Sequence, residues 1–122
     1  MLSKREQAQN ERRLIAALTR ACEAATAELV GFVWLTHRVD YQNLRGSLRV
    51  IWVFDTEANR ELALAGGQKQ LMTDLTAEAF SEAGIVANPV SNHLAFDSEE
   101  QCQRIDAGNW EQRLARKGKA GR

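Results

Sequence analysis

No apolar run in this chain of 122 residues approaches the roughly 18 residues of a membrane span, so a spanning helix is excluded and no membrane partner is expected. The stretch Met1 to Arg13 is polar and helix-prone and lacks an apolar signal core, which leads to the expectation of a cytoplasmic protein. There are only two cysteines, Cys22 and Cys102, far apart and each in a helical pattern. They read as reduced packing residues, and they lack the CxxC spacing of a redox pair. No serine sits in a nucleophile elbow and no glycine-rich phosphate loop follows a strand, so the familiar hydrolase and nucleotide-binding motifs are missing and no cofactor is expected. Internal repeats are absent too. With 44% apolar and 26% charged residues, what remains is the composition of an ordinary globular protein, long enough to bury a core without staples.

Charge is balanced in total and uneven in layout. Residues 1–13 hold Lys4, Arg5, Arg12 and Arg13 against Glu6 and Glu11, whereas residues 113–122 hold five basic residues and no acid. The intervening body is therefore acidic. A basic tail is the usual electrostatic handle for nucleic acid, because each phosphate contact releases counterions; it is equally the composition of a solvated terminus.

Leu14, Ile15, Leu18, Ala21, Cys22, Ala25 and Leu29 recur at helical spacing and predict a helix from about Lys4 to Glu28, ended by Gly31. Phe32, Trp34 and Thr36 then alternate with Val33, Leu35 and His37. Leu48, Val50, Trp52 and Phe54 alternate with Arg49, Ile51, Val53 and Asp55. The link between these two strands is too short for a crossover, so they are expected to pair antiparallel, with the Trp52 face packed on helices because large aromatics dominate core burial. Asp55 and Thr56 stand where a helix cap belongs, Gly66-Gly67 interrupts the following helix, and Gly84 ends it. Pro89 punctuates a loop, His93 to Phe96 forms a third strand, and Ser98 to Gln101 fits a capping box opening the last helix.

The expected fold is thus a small α+β domain in the order α-β-β-α(broken)-β-α, an antiparallel hairpin plus a third strand with helices on one face. Its expected divisions are a polar helical extension at 1–13, one domain at 14–114 and a basic flexible tail at 115–122.

Three sets of residues suggest function. Arg38, Arg45 and Arg49 put positive charge beside the hairpin, and with Arg113, Arg116, Lys117 and Lys119 they form a candidate set for RNA or DNA phosphate; the competing reading of the hairpin charges is protection of a strand edge. Val33, Leu35, Ile51 and Val53 form a second apolar strand face, a candidate interface for a homodimer or protein partner. His37, Asp55, His93 and Asp97 are the one constellation suited to a metal or acid/base centre, although their spacing matches no short ligand motif and both aspartates precede helices, where capping is the commoner role. Function therefore divides into a nucleic-acid- or ribosome-associated regulatory module, a protein-interaction or homodimerising domain, and an enzyme of unfamiliar kind. Trp34 and Trp52 would stack an unpaired base if they faced solvent, and otherwise pack in the core.

The run Phe32, Trp34-Leu35-Thr36-His37, Asp40-Tyr41, Ser47-Leu48, Val50 and Val53-Phe54-Asp55-Thr56, with Phe96 to Glu100, Cys102, Asn109-Trp110-Glu111 and Arg113-Leu114, resembles a small proteobacterial family. Its members often carry the label Fis family transcriptional regulator. The resemblance covers roughly residues 14–114 and implies DNA binding through a C-terminal helix-turn-helix. In element order the chain is also similar to ribosome-binding factor A and its KH-like fold, with Gly66-Gly67 at the kink of the long helix. That similarity implies contact with RNA.

Overall fold

The computed structural model describes residues 3–40, 43–87 and 89–120, with the backbone alone described at 44–45 and 117–120. Helix α1 (Lys4–Glu28) opens on a capping box: the Ser3 hydroxyl accepts the Glu6 N–H at 3.1 Å, and the Glu6 carboxylate accepts the Ser3 N–H at 3.0 Å. Its buried stripe is Leu14, Ala17, Leu18, Ala21 and Ala25, the spacing that puts one helix face against a core. Gly31, at φ +80°, then reverses the chain. A Cβ there would lie 2.5 Å from Asn59 and 2.6 Å from Asp55, so only glycine fits both the backbone angle and the space.

Strand β1 (Phe32–Arg38) pairs antiparallel with β2 (Arg49–Phe54), and the short helix α2 (Leu44–Ser47) lies in the connection. Phe32 stands opposite Phe54 but Trp34 stands opposite Val53, so Val33 is an extra residue in the ladder. One inserted residue exchanges the faces of everything after it. Leu35 consequently shares the Trp52 face and Trp34 turns to the other, the reverse of simple alternation.

Helix α3 (Glu57–Ala65) is capped by the Thr56 hydroxyl, breaks at Gly66-Gly67 and continues as α4 (Gln68–Glu82). This helical crossover returns the chain through a 3₁₀ turn, Val90–His93, to β3 (Leu94–Ser98), which pairs parallel to β2. Strand order is β1-β2-β3, with β2 in the centre. The expected α+β class and element order hold. On the Trp52 face, Leu14, Leu18, Val50, Trp52, Phe54, Met72 and Phe80 form the core between the sheet and helices α1 and α4. The Trp52 indole N–H donates to the buried Thr76 hydroxyl, which satisfies the polar atom of the largest core side chain.

Helix α5 (Glu99–Asp106) starts at Ser98, whose hydroxyl accepts the Gln101 N–H at 3.1 Å. The expected capping box is only half formed. The Ser98 N–H goes to Asp97 Oδ1, and Gln101 Oε1 is buried without a partner among the described residues. Ala107 and Gly108, both at positive φ, end α5 and turn the chain into a separate helix, α6 (Trp110–Ala120). Helix α6 reaches the second face of the sheet, where Trp110 packs edge to face on Trp34. Among the described residues no helix is long and apolar enough to cross a membrane.

Candidate nucleic-acid interface

The hairpin register places Arg38 directly opposite Arg49 at the end of the sheet that carries α2. The backbone there is clamped: the Asp40 N–H donates to the Ser47 hydroxyl at 2.7 Å, and that hydroxyl donates to the Asp40 carbonyl at 3.1 Å. Arg49 folds its guanidinium back on the connection, donating to the Leu48 carbonyl at 2.8 Å and the Gly46 carbonyl at 3.3 Å. Arg38 is exposed, and neither arginine has a carboxylate partner among the described residues. Like charges directly opposite on a ladder are destabilising, so the pair is kept at a cost in fold stability. Arg45 lies in α2 between them in sequence; its side chain falls outside the described residues.

Beside this end, an open groove of about 610 Å³ is lined by Lys4, Gln7, Ala8 and Glu11 of α1 and by His37, Arg38 and Val39. His37 Nε2 and the Glu11 carboxylate meet at 3.0 Å across it. Lys4 adds a cation that sequence spacing alone does not connect with the hairpin, 34 positions away; the antiparallel return of β1 along α1 makes the connection. Lys4 and Arg38 thus line one groove at this end of the hairpin, whereas residues 51–112 carry three basic against eleven acidic residues.

The C-terminal cations have other employment. Arg113 is 5% exposed and forms a two-pronged pair with Asp97 at 2.8 and 2.9 Å, while its remaining nitrogen donates to Asp106 at 2.8 Å. Arg116 donates to the same Asp106 oxygen at 2.8 Å. The Arg116 and Arg113 hydrogen bonds hold the Asp106 carboxyl down at about 2, and the Asp97 carboxylate pushes the Arg113 guanidinium upward. Arg113 is thus engaged in a buried ion network with Asp97 and Asp106, and the half-exposed Arg116 shares the Asp106 carboxylate, so both guanidiniums already hold carboxylate partners. The Lys117 and Lys119 side chains lie outside the described residues. Helices α5 and α6 do meet at a tight glycine-containing turn, as the implied helix-turn-helix would. Its second helix, however, turns Trp110 and Arg113 inward.

The other sets also separate. Of the expected apolar patch, Val33 is 46% exposed; Ile51 and Val53 are buried on the central strand, and Leu35 sits on the core side because of the Val33 bulge. Trp34 is half-buried and Trp52 fully buried, so neither offers an open stacking face. His37, Asp55, His93 and Asp97 do not converge. His37 pairs with Glu11, His93 Nδ1 donates to the Leu48 carbonyl at 2.8 Å, Asp55 accepts from Thr56 and Asn59, and Asp97 holds Arg113. Among the described residues no group of three or more histidine, cysteine or acidic side chains has the geometry to hold a metal ion. Cys102 is buried, with its thiol pushed up by that burial, and so has little thiolate for chemistry. One arrangement had no signal in the sequence: a single Glu99 oxygen accepts both the Trp34 and the Trp110 indole N–H, at 2.9 and 2.8 Å. No family model, curated protein or solved structure matches the chain.

Proposed function

We propose that this chain is a nucleic-acid- or ribosome-associated module that contacts phosphate with the basic end of its hairpin, through Arg38, Arg49 and Lys4. The observation that carries this reading is the Arg38–Arg49 pair. Two arginines at directly opposed ladder positions, in a chain with acidic residues to spare, lower the stability of the free protein and suit a ligand that brings its own negative charge. The acidic body would repel a phosphate backbone elsewhere and so orient the encounter toward this end. The burial of Trp52 and the half-burial of Trp34 favour contact with backbone over readout of unstacked bases on the sheet.

Fluorescence anisotropy against structured RNA, single-stranded RNA and duplex DNA at two salt concentrations tests the reading, with the double variant R38E/R49E alongside wild type. Three or four phosphate contacts on a duplex give a log–log salt slope of about −3. Binding with that dependence, lost in the variant, is the expected result. Binding to none of the three polymers, or binding unchanged by the double variant, rejects it.

A further inference from the structure

Strand β1 is an edge of the sheet, and the outward backbone N–H and C=O groups of its alternate residues meet no partner among the described residues. The Val33 bulge and Arg38 blunt its two ends, but the stretch between, Trp34 to His37, carries no device that prevents pairing with another strand. Alongside this edge runs a second groove of about 410 Å³, lined by Ile15, Leu18, Cys22 and Glu23 of α1 and by Leu35 and Thr36. Ile15 is 48% exposed there, close to the middle of the 25-residue helix.

We infer that a second copy of this chain occupies this edge, pairing β1 with β1 antiparallel about a two-fold axis near Leu35 and laying α1 against α1. The argument for a second copy is charge complementarity along one helix. Residues 4–13 of α1 hold Lys4, Arg5, Arg12 and Arg13 against Glu6 and Glu11, and its last turns hold Glu23 and Glu28, with Arg20 drawn off to Glu82. An antiparallel partner sets each basic end toward an acidic end, as an isologous interface requires. At the axis each Ile15 would meet its counterpart, and Lys4 and Glu23, at opposite ends of the same groove system, would come within reach across the interface.

The surface is of sufficient size. At 1.5 Å per residue α1 is about 37 Å long, and at 3.3 Å per residue β1 is about 23 Å long. With a helix about 10 Å across and one strand about 4.8 Å wide, that strip covers roughly 500 Å² per partner, which meets the roughly 1,000 Å² in total that a specific interface needs. The result is a six-stranded sheet with a basic hairpin end at each extremity. The inference stands independently of the phosphate reading, because it rests on the edge and on α1.

Sedimentation velocity of the full chain over a range of concentrations tests it, with Ile15→Glu, Glu23→Lys and the charge exchange Lys4→Glu/Glu23→Lys. Ile15 and Glu23 are exposed in the monomer, so each variant is expected to keep the wild-type circular dichroism spectrum and melting profile. Wild type is expected to reach twice the chain mass, I15E and E23K to remain at one chain mass, and the exchange to recover the dimer at least in part. A wild-type protein that stays at one chain mass at the highest concentration reached overturns the inference. So does a dimer that persists in I15E and E23K, which would place association on another surface.

Discussion

Arg38 faces Arg49 directly across the β1–β2 ladder. Replacing Arg49 by glutamate converts a like-charge cross-strand pair into an opposite-charge one, and such pairs contribute about 0.2–1 kcal/mol. R49E is therefore expected to unfold at higher urea concentration than wild type while losing phosphate binding. Gain of stability with loss of function is the mark of a position kept for a ligand. A destabilised R49E would show instead that the hydrogen bonds from Arg49 to Gly46 and Leu48 matter more than the repulsion.

Arg113 is the keystone of the second face. Removing one partner of a buried, hydrogen-bonded ion pair costs about 3–5 kcal/mol, and R113A leaves Asp97 and part of Asp106 without their cation. Urea titration should give a loss of that size for R113A and a smaller one for R113K, which keeps the charge but not the two-pronged geometry. R116A should cost much less, because that side chain is half exposed.

The same network predicts an acid limb. Asp106 is held at about 2, below the ordinary carboxylate value of 3.8, so its contribution to stability is fully present above about pH 4. It is lost as pH falls through about 2, when the carboxyl protonates in the folded state. In D106N this component of the acid-induced loss disappears, and the stability difference between wild type and variant narrows on acidification from pH 4 to 2. A difference that stays constant over that range contradicts the assignment.

Glu99 ties Trp34 to Trp110, whose rings meet at 4.9 Å and 82°. In E99A both indole N–H groups lose their acceptor, and in W110A the aromatic pair, worth about 0.5–1.5 kcal/mol beyond area burial, is lost. Both variants should red-shift the tryptophan emission of the folded protein as Trp34 gains water. Emission unchanged in W110A would mean that α6 does not cover the second face in solution.

Helix ends were legible in the sequence because caps and glycines act locally: Thr56, Gly66-Gly67 and Gly84 each stand at the boundary they predict. The Trp52 face was legible because β2 alternates without interruption. The face of Leu35 was not. A bulge depends on pairing between strands, and a single extra residue at Val33 leaves no mark on the composition of β1. The same limit explains Arg113 and Arg116. As a run of basic residues after the last acid they read as a tail, and only the turn at Ala107-Gly108 carries α6 back onto Asp97 and Asp106. The Arg38–Arg49 pairing followed once the hairpin was placed, whereas the contribution of Lys4 required the packing of α1 on β1.

The most direct measurement of the central claim is a two-dimensional amide NMR titration of the isotopically labelled chain with a short RNA or DNA duplex at low salt. Shifts concentrated at Lys4, Arg38, Gly46, Leu48 and Arg49 are expected, reversed by added salt, with α6 residues near Arg113 unmoved. Shifts that instead gather on α5 and α6, or a spectrum that does not change at saturating duplex, would contradict it.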